Sequence, residues 1–234
     1  STVRVADLTI RELRDQWRRD SNGFRRIVAE REAEAEKGYG FQVATIDAQG
    51  LLLFSSADPA AKPVDLSDRA HFRVHRERPD EDRLYISQPV WGRVVKRWTI
   101  QFTRPLRDEK DQFAGVLVFS VSPDYLSRLF DPRRLGAQSS LTIFRDDGAV
   151  ILRSLPNTAA AGSAADRPPD GSARIESPRA VIRTLTSMGL PPDGFGQWAS
   201  TLDGVERFYA WRTIAGYPVT LSVGSPVAAL DAAM

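Results

Sequence analysis

The chain carries two histidines, His71 and His75, and they stand four residues apart. On a helix that spacing places both on one face, and Asp68, three residues before His71, projects from the same side. Two imidazoles at i and i+4 with a nearby carboxylate form a metal-ligand spacing. A zinc peptidase helix has Glu directly after its first His to activate water, and Phe72 stands there instead. The other reading is structural: Asp68 caps the helix, and His75 packs or faces solvent.

Between these residues lies Arg69, within DLSDRAHFRVH at residues 65–75. A guanidinium is a planar fork that matches a carboxylate through two parallel hydrogen bonds. The following segments supply Tyr85, Ser87, Trp98, Thr99, Gln101, Ser120 and Ser122 to complete a polar pocket. The expected ligand set is Arg69, His71, Tyr85, Ser87, Trp98 and Ser120. Side chains alternate along a strand, so only one parity faces the helix, and aromatic or apolar residues at both parities leave the choice open. Arg69 reads equally as a salt-bridge partner of Asp65 or Asp68. Trp98 and Tyr85 read as core aromatics before they read as ligand contacts.

Other chemistry is scarce. The absence of Cys excludes disulfides, thiolate metal sites, iron–sulfur clusters and Cys nucleophiles. There is no Walker sequence and no G-x-S-x-G, and Gly115, Gly136 and Gly148 are isolated turn glycines. The chain reads as a non-enzymatic domain that needs no cofactor. Lys and Arg exceed Asp and Glu by 32 − 30 = 2, and 28 of those 32 bases are Arg. So small an excess argues against nucleic acid, whose phosphates demand clustered positive charge. At 42% apolar and 26% charged residues the composition is globular. No apolar run approaches a membrane span, and the given stretch opens without a secretory signal pattern.

Three kinds of element must position these groups. Ala6, Ile10, Leu13, Trp17, Asp20, Phe24, Ile27 and Arg31 recur at intervals of 4 and 3, the seam of one long helix over residues 1–37. Such a helix would be on the order of 45 Å long, with a seam suited to a partner helix. Strands are expected at residues 41–46 and 51–55 around Asp47-Ala48-Gln49-Gly50, and at 84–95, 97–106 and 113–121. A helix is expected at 66–77 and another at 123–129.

The second half repeats the first. VATIDAQGLLLFS and LTIFRDDGAVILRS both set an acidic/Gly turn between apolar strands. Strands at 196–201, 206–214 and 219–223 follow, after a loop at 157–176 and a helix at 178–188. Trp198, Phe208, Tyr209 and Trp211 read as the core of this second module. The fold class is therefore α+β, a long N-terminal helix and two modules, each a roughly five-stranded antiparallel sheet with helices. The boundaries are 1–40 for the helix, 41–135 and 136–224 for the modules, and 225–234 for the start of a C-terminal helix.

In their order, VATIDAQGLLLFSS, DLSDRAHFRVHRE, LYISQPVWGRVVKRWTIQFTRPLRD, FAGVLVFSVSPDYLSRLF and LTIFRDDGAVILRS resemble the double Cache sensor domain. This tandem PAS-like module forms the extracytoplasmic part of bacterial histidine kinases, diguanylate cyclases and chemoreceptors. The resemblance implies a membrane-distal ligand-holding module, a membrane-proximal module and flanking membrane helices that lie outside the present sequence. It further implies periplasmic localisation, a tether to the inner membrane and homodimerisation through the N-terminal helix. In members that bind dicarboxylates or amino acids, an Arg on the distal helix grips the ligand carboxylate, and Arg69 resembles that position. Amino-acid binders continue as Arg-x-Trp-Tyr and place Asp on the fifth strand. Here the sequence reads Arg69-Ala70-His71-Phe72, and the strand offers Ser120 and Ser122. That departure points to a small organic anion. The rival expectations are a metal sensor built on Asp68, His71 and His75, and a ligand-free dimerisation module.

Overall fold

A computed structural model describes residues 2–34, 41–129, 139–154, 192–200 and 204–231. The loop expected at 157–176 and the helix expected at 178–188 lie outside the described residues. The chain divides into two compact units, Ser1–Ser122 and Pro123–Met234.

The first unit opens with two helices, α1 (Thr2–Arg19) and α2 (Ser21–Glu34), in place of the single expected helix. The break is at Asp20, whose carboxylate accepts the Asn22 backbone N–H at 3.0 Å. Asp competes for backbone donors in this way and favours caps over helix interiors. Glu12 and Arg31 would lie about 28 Å apart along one straight helix, yet they form an ion pair of 2.7 Å. Hence α2 turns back along α1. Ala6, Ile10, Leu13 and Phe24 are buried as the seam predicts, and Val28 is buried where the seam expects Ile27. A seam of constant period presumes one helix axis, which the break at Asp20 interrupts.

The strands of this unit are β1 (Gln42–Asp47), β2 (Leu52–Ser55), β3 (Tyr85–Ile86), β4 (Val90–Trp91), β5 (Trp98–Arg107) and β6 (Phe113–Val121), with α3 (Ala70–Arg76) between β2 and β3. Their order is β2-β1-β6-β5-β3, with β4 also pairing β5. All pairs are antiparallel. The strand expected over 84–95 is thus split into β3 and β4 along one edge of β5. Pro89 lies in the gap and has no N–H for the ladder, which an edge tolerates.

The two faces of this sheet carry different helices. On β5, Arg104 turns toward α1 and bonds Asp7, whereas Thr103 meets His75 of α3. Leu66 and Phe72 pack with Ile46, Leu52, Val116 and Val118, so α3 and the loop before it rest on an apolar part of the sheet.

The second unit contains α4 (Pro123–Leu129), β7 (Ser140–Arg145), β8 (Val150–Ser154), β9 (Asp193–Ala199), β10 (Glu206–Thr213), β11 (Val219–Pro226) and α5 (Val227–Asp231). Its sheet has the order β8-β7-β11-β10-β9, the same permutation as the first. The repetition reaches the turns. The Asp47 carboxylate accepts the Gln49 and Leu51 N–H groups, and that of Asp147 accepts the Ala149 N–H. Gly50 and Gly148 follow at φ +99° and +88°, a left-handed conformation that glycine adopts without steric cost. Trp198 stacks on Tyr209 at 4.5 Å and leans on Trp211 at 5.9 Å. Phe208 does not join this cluster. Alternation along β10 turns it to the other face, where it is 42% exposed.

Candidate functional site

Gln42, Ser120 and Gln101 stand directly opposite one another on β1, β6 and β5. They share the sheet face of Thr103, the face that carries α3. This register decides the parity that the sequence leaves open: Thr99, Gln101 and Thr103 face α3, and Trp98 does not. The polar row largely satisfies itself. Ser120 Oγ donates to Gln101 Oε1, Gln101 Nε2 donates to Thr99 Oγ1 at 2.8 Å, and Gln42 Nε2 donates to Ser55 Oγ at 3.2 Å.

A cavity of about 60 Å³ lies over this row. Its apolar wall comes from Ala44, Ile46, Leu52, Leu66 and Val118. Arg69 and His71 line it from the start of α3, and residues 90–95 line it from β4 and the turn that follows. That turn is tied down by Arg93, which donates to both carboxylate oxygens of Asp68 at 2.8 and 2.7 Å and to the Asp65 carbonyl at 2.5 Å. The hydrogen bond from Arg93 holds the Asp68 carboxyl below the usual carboxylate range.

The salt bridge considered for Arg69 is not formed. Arg93 takes Asp68, and the Asp65 carboxylate turns back to accept the Ser67 N–H at 2.8 Å. Arg69 is left half-buried on the cavity wall, bonded to the Trp91 carbonyl at 3.2 Å and without an ion-pair partner among the described residues. Burial lowers its pKa, and the neighbouring charge of Arg93 adds to that effect. Beside it, burial pushes the His71 imidazole down to about 3, with the Arg69 charge contributing. A neutral ring and a guanidinium that forms no ion pair therefore meet at one cavity, whose lining among the described residues includes no carboxylate.

Of the six expected ligand residues, Arg69, His71 and Ser120 line this cavity, and Tyr85, Ser87 and Trp98 do not. Tyr85 packs its ring edge-on against His75. The Ser87 hydroxyl accepts the Gln101 N–H and donates to the Gln88 carbonyl, bracing the edge of the sheet. Trp98 pairs with Trp91 across the β4–β5 ladder.

The same geometry does not assemble the rival metal set of Asp68, His71 and His75. Asp68 is held by Arg93, and the His75 Nε2 pairs with Thr103 Oγ1 at 2.9 Å. No group of three His, Cys, Asp or Glu among the described residues is placed to hold a metal ion. The residues that sequence reasoning missed are Gln42, Ser55 and Arg93. Gln42 has a legible signal, an amide leading an apolar strand. Arg93 has none, because its role depends on where a turn folds.

A wider cleft of about 580 Å³ in the same unit is lined by seven charged residues. Four of them form ion pairs across it, Arg14 with Asp82 at 2.6 Å and Arg107 with Asp111 at 3.8 Å.

No protein-family model and no curated protein matches the sequence. Solved structures do match. The extracellular domain of rpHK1S-Z16, described as a histidine kinase, is 22% identical with a TM-score of 0.75, over 99% of this chain and 89% of that one. The periplasmic sensory domain of the Campylobacter jejuni chemoreceptor Tlp1 is 13% identical with a TM-score of 0.59, over 100% and 90%. The fold is that of the double Cache sensor domains. The ligand-binding domain of the Pseudomonas fluorescens chemoreceptor CtaA, solved with L-serine, shares this fold at 12% identity and a TM-score of 0.59, over 94% and 86%. At these identities the likeness is one of fold. Within the double Cache fold, the Arg69 cavity belongs to the first of the two sheets. Among the described residues, no helix is long and apolar enough to cross a membrane.

Proposed function

We propose that this chain is the extracytoplasmic signal-sensing domain of a bacterial transmembrane receptor, a sensor histidine kinase, and that its first unit binds a small organic anion. The fold supports this, since the similar structures are extracellular or periplasmic domains of kinases and chemoreceptors. The observation that carries the ligand reading is Arg69, a half-buried cation facing a cavity that no carboxylate lines among the described residues. A buried charge is costly unless paired, and a bound carboxylate would supply the missing partner through the guanidinium fork.

In this reading residues 41–135 form the membrane-distal module and 136–224 the membrane-proximal one, and the domain is tethered to the inner membrane. The domain itself performs no catalysis, because the output enzyme lies elsewhere in the receptor. A ligand shifts the equilibrium between two conformations by its differential affinity for them. The segment 91–97, held over the cavity by Arg93, is the part that ligand occupancy would rearrange. The outer face of α1 would carry the homodimer contact, and there Val5 and Leu8 are 63% and 60% exposed.

The test is thermal unfolding against a panel of small carboxylates. A ligand at a hundred times its Kd adds about 2.7 kcal/mol, a midpoint rise on the order of 5–10 °C for a chain of this size. The expected result is a rise with a carboxylate that disappears in Arg69→Ala. An unchanged rise in Arg69→Ala refutes the anchor. Silence across the panel refutes the anion reading in favour of a ligand-free dimerisation module.

A further inference from the structure

We infer that the cavity under Arg69 selects a short-chain aliphatic monocarboxylate of two to four carbons and discriminates against α-amino acids and dicarboxylates. This rests on the reading of the cavity as an anion site and narrows it by charge, polarity and size.

Charge comes first. Two guanidinium groups line the cavity, but Arg93 is committed to Asp68 through both carboxylate oxygens. Of these two, Arg69 forms no ion pair among the described residues, so the site compensates one negative charge. A second carboxylate would have to break the Arg93–Asp68 pair and release the turn that closes the cavity.

Polarity excludes the ammonium. Among the described residues no Asp or Glu lines the cavity. The polar row beneath it is bonded within itself, Ser120 to Gln101, Gln101 to Thr99 and Gln42 to Ser55. An ammonium here would lose its hydration, find no carboxylate and lie beside Arg69 and Arg93. Desolvating a cation without a paired anion is strongly unfavourable. His71 adds a compatible group. Its ring is buried and neutral, and makes no hydrogen bond to another described residue. A neutral imidazole has one N–H to donate to the carboxylate that Arg69 holds.

Size sets the chain length. At roughly 10–15 Å³ for each water-sized occupant, a cavity of about 60 Å³ accepts on the order of four to six non-hydrogen atoms. Acetate, propionate, butyrate and lactate fall within that range, and succinate exceeds it. The wall of Ile46, Leu52, Leu66 and Val118 suits the aliphatic tail.

Isothermal titration of the 234-residue chain with acetate, propionate, butyrate, hexanoate, lactate, L-alanine and succinate tests the inference. Affinity is expected to rise about fourfold from acetate to propionate, the worth of one buried methylene. It then falls at least tenfold at hexanoate and succinate. Lactate and L-alanine have nearly the same shape and differ in hydroxyl against ammonium, so lactate is expected to bind at least tenfold more tightly. Arg69→Lys, which keeps the charge and loses the fork, should weaken propionate at least tenfold while the unfolding midpoint confirms a folded protein. Tight binding of L-alanine or succinate that depends on Arg69 would overturn the monocarboxylate inference and leave the anion reading standing. Binding of none of these carboxylates would overturn both.

Discussion

Replacing Asp7 with Ala should loosen α1 from the first sheet, and the structure sets the size of the effect. Asp7 is 2% exposed and Arg104 is 3% exposed. The Arg104 Nε and Nη2 groups donate to the two Asp7 oxygens at 2.5 and 3.1 Å, a bidentate pair joining the helix to β5. Arg104 Nη1 also donates to the Asp82 carboxylate and carbonyl at 2.9 and 3.0 Å. Removing one partner of a buried pair costs about 3–5 kcal/mol, because the other charge is left uncompensated. Asp82 stays in place and still partners Arg104 at 2.9 Å, so the charge is not fully orphaned and the lower end, about 3 kcal/mol, applies. At roughly 2–4 °C per kcal/mol for a chain of this length, the unfolding midpoint should fall by about 6–12 °C. Differential scanning calorimetry of the wild type, Asp7→Ala, Arg104→Met and the double variant Asp7→Ala/Arg104→Met provides the assay. The double variant buries no orphan charge and should be more stable than Asp7→Ala alone. A fall below about 2 °C for Asp7→Ala, or a double variant as unstable as the sum of the two single changes, would refute the reasoning.

Two further outcomes follow from the same geometry. Both histidines are buried, with pKa values pushed by that burial from 6.5 down to about 3 for His71 and about 4 for His75. Below pH 6.5 the unfolded chain therefore binds protons that the native chain refuses, and stability falls as the pH drops. The slope is about 1.4 kcal/mol per unit for each histidine, on the order of 5 kcal/mol in all between pH 6.5 and 4.5. Urea midpoints that stay level from pH 7 to pH 5 would contradict this. Arg93→Ala should cost only about 0.5–1 kcal/mol, since that pair is 37% and 61% exposed. It should nevertheless free residues 91–97, seen as faster amide exchange there and weaker anion binding. Unchanged exchange would show that the turn does not depend on the latch.

Much of the fold was legible because its signals are local. The acidic/Gly turns at 47–50 and 146–148 read as hairpins in both halves, and the recurrence of strands around them read as a duplication. The two sheets indeed share one strand order. The signal failed where a residue's neighbour in space is distant in sequence. Asp20 sits in register with an apolar seam, and nothing local says that α2 turns back until Arg31 meets Glu12. Asp7 lies next to the seam residue Ala6, and nothing local says that it meets Arg104, 97 residues on. Phe208 reads as core because it is aromatic, while its parity on β10 turns it outward.

The candidate site divides along the same line. Residue type and helical position single out Arg69 and His71, because a guanidinium beside an imidazole at the start of a helix is chemistry visible in the letters. Whether Arg69 is free to bind could not be read there, since Asp65 and Asp68 are near enough in sequence to take it. Only the tertiary structure decides this, by folding Arg93, distant in sequence, onto Asp68. Cross-strand register then sets Gln42, Ser120 and Gln101 in one row beneath the cavity. Sequence by itself determined the periodic patterns, the duplicated turns and the chemical types at hand, all properties of short segments. Which charges pair, which strand face turns inward and how much space remains were decided by packing, because each depends on groups brought together from distant parts of the chain.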